Sequence, residues 1–181
     1  MKSFVFLANG FEEIEALATV DVLRRAGMVV TTVSINPTKQ AVGAHGVVVE
    51  ADALLSDVCD SEADWLVMPG GLPGAQYLAE CEVLGKMIVA QNQVGKGVAA
   101  ICAAPAMVLG SLGIMNGRKA TGYPGTEQLA PAVDWQSDKV VVDANVITGK
   151  GPGAAVDFAL AIVASAKGQD VADEVAAAML I

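Results

Sequence analysis

The sequence predicts an α/β fold in which an open, mostly parallel sheet carries helices on both faces. Short apolar runs alternate along the chain with segments of helical period. The first two runs flank a single helix, a β-α-β unit whose strands are parallel. The composition is 54% hydrophobic but only 4% aromatic, the Ala, Val, Leu and Ile mixture that strands buried on both faces require. At 181 residues the chain fits one domain, 1–181, with a core large enough to need no covalent staples.

Ser3 to Ala8 reads as the first strand. It resembles a secretory leader only until Asn9-Gly10 and Glu12-Glu13 interrupt it. Glu12 to Arg25 reads as a helix with Ile14, Leu17, Val20 and Leu23 on one face and Gly27 at its end. Val29 to Ile35 is a second, β-branched strand. Pro37 to Gly46 is rich in turn formers, Val47 to Glu50 is a short strand, and Asp64 to Met68 is a strand ending in Pro69-Gly70-Gly71. Ala75 to Gln93 reads as one helix. Val98 to Ile101 is a strand, Cys102 follows it directly, and Pro105 to Leu112 begins a helix closed by Gly113. Lys139 to Thr148 reads as paired strands around Asp143-Ala144-Asn145, followed by an Ala-rich helix through Ala166 and a last helix from Val171 to Leu180.

Eleven Lys and Arg against twenty Asp and Glu leave a formal charge of -9. That field repels phosphate backbones and disfavours nucleic acid as a partner. The longest apolar run, Val98 to Leu109, is broken by Pro105 and is too short for a bilayer, which takes about 20 residues. Three cysteines without C-x-x-C spacing indicate neither a disulfide framework nor a zinc site, so a reducing cytoplasm is expected and no metal or cofactor is.

In open parallel sheets, sites form at the carboxyl ends of strands. Three unusual segments fall there: Asn9 to Glu15, Pro69-Gly70-Gly71 and Cys102. A side chain on a tight strand-to-helix turn is pushed out of the sheet and needs small neighbours. Cys102 has Ala99, Ala100, Ala103 and Ala104. A helix N-terminus next to it would favour the thiolate and lower its pKa. The competing reading is a buried cysteine acting as a small hydrophobe, the role assigned to Cys59 and Cys81. Glu12 and Glu13 read as surface groups that complement the helix dipole. Glu15 lies within one turn of the strand end and can point at the sulfur, where desolvation would raise its pKa and suit it to proton transfer. The N–H groups of Gly70, Gly71 and Ala103 are candidates for an oxyanion hole, against the plainer reading of Gly70-Gly71 as a turn.

The segments Leu7-Ala8-Asn9-Gly10-Phe11-Glu12-Glu13-Ile14-Glu15, Val67-Met68-Pro69-Gly70-Gly71, Ala99-Ala100-Ile101-Cys102-Ala103-Ala104-Pro105, Thr121-Gly122-Tyr123-Pro124 and Gly151-Pro152-Gly153 occur in this order across the chain. Together they resemble the ThiJ/PfpI family, in particular its deglycase and YajL-like branch. The resemblance implies a flavodoxin-like three-layer sandwich related to class I glutamine amidotransferases, usually a homodimer. It implies Cys102 at the elbow, Glu15 as its protonated partner, and oxidation of Cys102 to a sulfinate held by Glu15. It also implies a glyoxalase or deglycase acting on a small aldehyde or glycated adduct, or a redox sensor or chaperone for oxidative stress.

Two departures matter. The protease-like branch carries His directly after its cysteine, whereas Ala103 stands here, and the only histidine is His45. A Cys-His peptidase or amidase is thereby disfavoured. Tyr123 takes a place that carries His in the Parkinsonism-associated branch, and its phenol is a candidate substrate contact. Arg24, Arg25 and Lys150 match basic positions near the expected dimer interface or its rim. Thiazole monophosphate synthesis, another activity linked to the family, finds no phosphate loop here.

Overall fold

A computed structural model describes residues 1–181. The chain runs through β1 (Lys2–Leu7), α1 (Glu13–Arg25), β2 (Val29–Ser34), β3 (Gln40–Val42), β4 (Val48–Glu50), β5 (Ala53–Leu54), α2 (Leu55–Val58), β6 (Trp65–Met68), α3 (Gly74–Glu80), α4 (Glu82–Gln93) and β7 (Gly97–Ile101). A π-helical turn (Pro105–Gly110), β8 (Lys119–Ala120), β9 (Asp134–Trp135), β10 (Val140–Asp143), β11 (Val146–Gly149), α5 (Ala155–Lys167) and α6 (Gln169–Ala178) follow. Seven strands join in the order β10-β11-β7-β6-β1-β2-β5. All pairs are parallel except β10 with β11.

The central strands are buried on both faces, which is why β1, β6 and β7 are apolar without alternation. One helical layer joins α1, α5 and α6; in the other, α3 packs on the π-helical turn and α4 on β7. This is the flavodoxin-like α/β architecture expected. No helix is long and apolar enough to cross a membrane.

Four features differ from the sequence expectation. The helix expected over Ala75–Gln93 is two helices, because Cys81 adopts an extended conformation (φ -79°, ψ 96°) between them. The turn-rich segment 37–46 contains β3, which pairs with β4 outside the main sheet. The segment after Cys102 is π-helical rather than α-helical. On α1, Val20 and Leu23 are buried as expected, but Ile14 is 57% and Leu17 39% exposed. Glu15, Ala16 and Thr19 point inward instead. Small and branched residues between the leucines leave two helix faces almost equally apolar, and docking selects one of them.

Candidate active site

The chain leaves β1 to build α1 beside β2, then returns to build β6 on the opposite side of β1. The order in which strands are added therefore reverses between β1 and β6, the place where ligand clefts open in such folds. The first turn of α1, the Gly70-Gly71 turn after β6 and Cys102 after β7 meet above these adjacent strands.

Cys102 has φ 66°, a left-handed conformation costing a non-glycine residue about 1–2 kcal/mol. Its backbone is pinned from both sides: its N–H donates to the Gly149 carbonyl at 2.9 Å, and its carbonyl accepts from the Tyr123 N–H at 2.7 Å. Ala103 and Ala104 are buried beside it. The close approach of Gly70 is required, since a Cβ there would lie 2.6 Å from the Cys102 Cβ. At Gly71, φ is +85° and a Cβ would meet the Gly10 carbonyl and Glu12 nitrogen at 2.4 Å.

Glu15 is fully buried. Its Oε2 accepts the Gly70 N–H at 2.8 Å, while its Oε1 is buried without a conventional partner. The carboxyl interacts with the Cys102 thiol. Burial raises the Glu15 pKa to about 7 and outweighs the lowering by the Gly70 N–H and the thiol. The nearby Glu12 charge raises it further.

The thiol departs from the expected lowering. Cys102 is only 7% exposed, and burial, the Glu15 charge and the hydrogen bond to Glu15 push it up to about 12. The N–H groups of Gly71 and Ala103 oppose this without overcoming it, and the short π-helical turn provides no extended helix dipole to help them. With Glu15 ionised, the proton shared by the pair therefore rests on sulfur.

The structure also removes Gly70 from the expected oxyanion donors, because its N–H is committed to Glu15. The N–H groups of Gly71 and Ala103 favour the ionised sulfur. Tyr123 is half exposed. It lies by Gly151 and lines a cavity of about 310 Å³ with Lys139, Lys150 and Gly151-Pro152. Lys150 Nζ donates to the Ser137 carbonyl, Arg24 pairs with Asp52 and Arg25 with Asp21. Cys59 and Cys81 are half-buried free thiols.

Glu12 and Glu13, expected at the surface, are both buried. Glu12 Oε2 accepts the Glu15 N–H at 2.7 Å and caps α1. Glu13 clasps the β3–β4 hairpin: Oε1 accepts the His45 and Val47 N–H groups, and Oε2 meets the His45 Nδ1 at 2.8 Å. Glu12, Glu13 and His45 bring three ligand-type atoms within 4.8 Å of one another, but the hairpin already occupies both Glu13 oxygens. The long-range partner of Glu13 is invisible to local pattern, since an acidic first turn is ordinary in a surface helix.

Residues 1–165 match the family model described as the DJ-1/PfpI family. The chain is 40% identical over 177 residues to Protein DJ-1 homolog A of Arabidopsis thaliana, covering 97% of this chain. It spans only 45% of that relative's length. It is 38% identical over 162 residues to the Caenorhabditis elegans Glutathione-independent glyoxalase DJR-1.2, covering 88% of this chain and 84% of that protein. The structure of oxidized Toxoplasma gondii DJ-1 superposes with a TM-score of 0.96 at 37% identity, covering 99% of this chain and 97% of that one.

Proposed function

The chain belongs to the DJ-1/PfpI family, and on that premise we propose that it is a cofactor-independent, cysteine-dependent glyoxalase or deglycase. Its substrates are small 2-oxoaldehydes such as methylglyoxal, or their adducts on amines and thiols. The observation that carries this reading is the buried pair itself: a strained thiol facing a carboxyl whose pKa of about 7 lets it both accept and return a proton near neutrality. A relative is named as a glyoxalase.

In this mechanism the Glu15 carboxylate takes the Cys102 proton as sulfur adds to the aldehyde carbon. The carbonyl π pair moves to oxygen, and the N–H groups of Gly71 and Ala103 receive the oxyanion. That oxygen gains the proton from Glu15, forming a hemithioacetal. Glu15 then removes the proton on the former aldehyde carbon and returns it to the adjacent carbonyl carbon, while the hemithioacetal hydroxyl proton passes to the adjacent carbonyl oxygen. The adduct becomes a thioester of the 2-hydroxy acid. Water adds, the C–S bond breaks and the thiol is restored. The net reaction consumes one water and needs no external oxidant.

The test is hydroxy-acid production from methylglyoxal by wild type and Cys102→Ala, in chelator-treated samples. Production that disappears with the thiol is expected; equal production by both would overturn the proposal.

A second reading is favoured by the partnerless Glu15 Oε1, which as a protonated acid can donate to an oxidised sulfur. Here Cys102 is the oxidisable thiol of a peroxide sensor or chaperone, without turnover. Stoichiometric sulfinate at Cys102, lost in Glu15→Leu, is expected from this reading. Equal oxidation of Cys59 and Cys81 would sink it.

The proposal includes a homodimer. The apolar side chains left exposed on α1 and the adjoining hairpin, Ile14, Leu17, Val42 and Val48, are supported as the surface a second copy would cover. Three unbridged cysteines fit a reducing, cytoplasmic location.

A further inference from the structure

Glu12 is a buried acid that the proposed reaction leaves without a task. It is 8% exposed. Its N–H donates to the Gly70 carbonyl at 3.0 Å and its Oε2 accepts the Glu15 N–H at 2.7 Å. Gly70 in turn donates its own N–H to Glu15 Oε2 at 2.8 Å. Glu12, Gly70 and Glu15 thus form a closed ring of three hydrogen bonds, with Cys102 against Gly70 on the other side. A glutamate is also an unusual helix cap, a role that Ser, Thr, Asp or Asn fills with a shorter reach. What a glutamate adds over Ser or Thr is a charge, held inside the protein where screening is weak.

We propose that Glu12 is a positioning residue for the thiol chemistry, its carboxylate biasing the proton shared by Glu15 and Cys102 toward Glu15. This rests on the reading of Glu15 and Cys102 as the reacting pair, but not on turnover of any aldehyde. The pair with one proton exists as two forms, ionised Glu15 with a neutral thiol, or protonated Glu15 with a thiolate. Glu12 Oε2 is held on the Glu15 N–H, and its charge is among the causes that shift Glu15 but not among those that shift Cys102, so it opposes a negative Glu15 more than a negative sulfur. The Coulombic effect of Glu12 on Glu15 has this sign. The other titratable groups facing this cluster are Glu13 on the same helix turn and His45 from the hairpin, which bind each other.

The experiment measures Cys102 alkylation by iodoacetamide against pH, read at the Cys102 peptide so that Cys59 and Cys81 do not contribute. Wild type is compared with Glu12→Gln, Glu12→Ala, Glu15→Gln and the Glu12→Gln/Glu15→Gln double variant. The amide oxygen of Gln can still accept the Glu15 N–H, so Glu12→Gln is expected to keep the wild-type melting temperature, which Glu12→Ala lowers. The Glu12→Gln alkylation rate at pH 8 is expected to fall about fivefold, the size of a shift of somewhat under one pKa unit. The midpoint of its pH profile moves to lower pH. In the Glu15→Gln background the same substitution should change nothing. A Glu12→Gln profile that superposes on wild type overturns the proposal. So does a drop that persists without Glu15, or one accompanied by the same loss of melting temperature as Glu12→Ala. Absence of methylglyoxal turnover would count against the proposed enzyme and leave this result standing.

Discussion

Gly70 donates its N–H to Glu15 Oε2 at 2.8 Å while its Cα packs so closely on Cys102 that a methyl group would sit 2.6 Å from the Cys102 Cβ. One glycine therefore both holds the carboxyl and sets its distance from the thiol. Gly70→Ala is expected to cost about 1–3 kcal/mol of stability by overpacking and to reduce Cys102-dependent turnover at least tenfold. Chemical denaturation and steady-state rates check the two effects separately. Full activity would mean that the spacing is not critical.

Stability should fall as pH rises through the range set by Glu15. Its folded pKa is raised from 4.5 to about 7, so the native state binds more protons than the unfolded state between these values. Unfolding free energy is greatest below the unfolded pKa and is lost up to about pH 7, by roughly 3 kcal/mol. Glu15→Gln should remove this slope and be more stable than wild type at pH 8. Urea melts at pH 5 and 8 on both proteins check it.

His45 provides a clean probe of the hairpin clasp because it is the only histidine. The hydrogen bond and charge of Glu13 raise its pKa. The pairing therefore supports the hairpin at low pH and weakens as pH rises through the raised value. Proton NMR of the single imidazole should show titration above 6.5 in wild type and a return toward that value in Glu13→Gln. Identical titrations would show that the contact is not held in solution.

Leu17 tests the exposed face of α1. Leu17→Glu at a 39% exposed position should leave the monomer fold intact, with an unchanged far-UV spectrum, and shift light-scattering mass from two chains toward one. A wild-type protein that already runs as one chain would overturn the dimer.

The strands of the sheet and the elbow cysteine were legible locally. β1, β6 and β7 are buried on both faces, so their apolar runs read directly as strands, and the small residues around Cys102 are what a crowded turn demands. Segments whose order depends on strand pairing or on one backbone break were not legible. β3 has a turn-rich sequence and is a strand because β4 pairs with it, and Cys81 divides a continuous helical pattern.

The alternation of strand and helix is written in the residue pattern, and with it the parallel sheet whose carboxyl ends gather Glu15, Gly71 and Cys102. These follow from periodicity and residue size, which act over a few neighbours. How the acids of α1 divide their work was set by packing, in the folded chain. Three glutamates within four residues look alike along a helix turn, yet one is buried against the thiol, one caps the helix and one clasps a hairpin. Packing also decided the protonation of the pair, since the pKa values of Glu15 and Cys102 are set chiefly by the water excluded when β1, β6 and β7 are brought together.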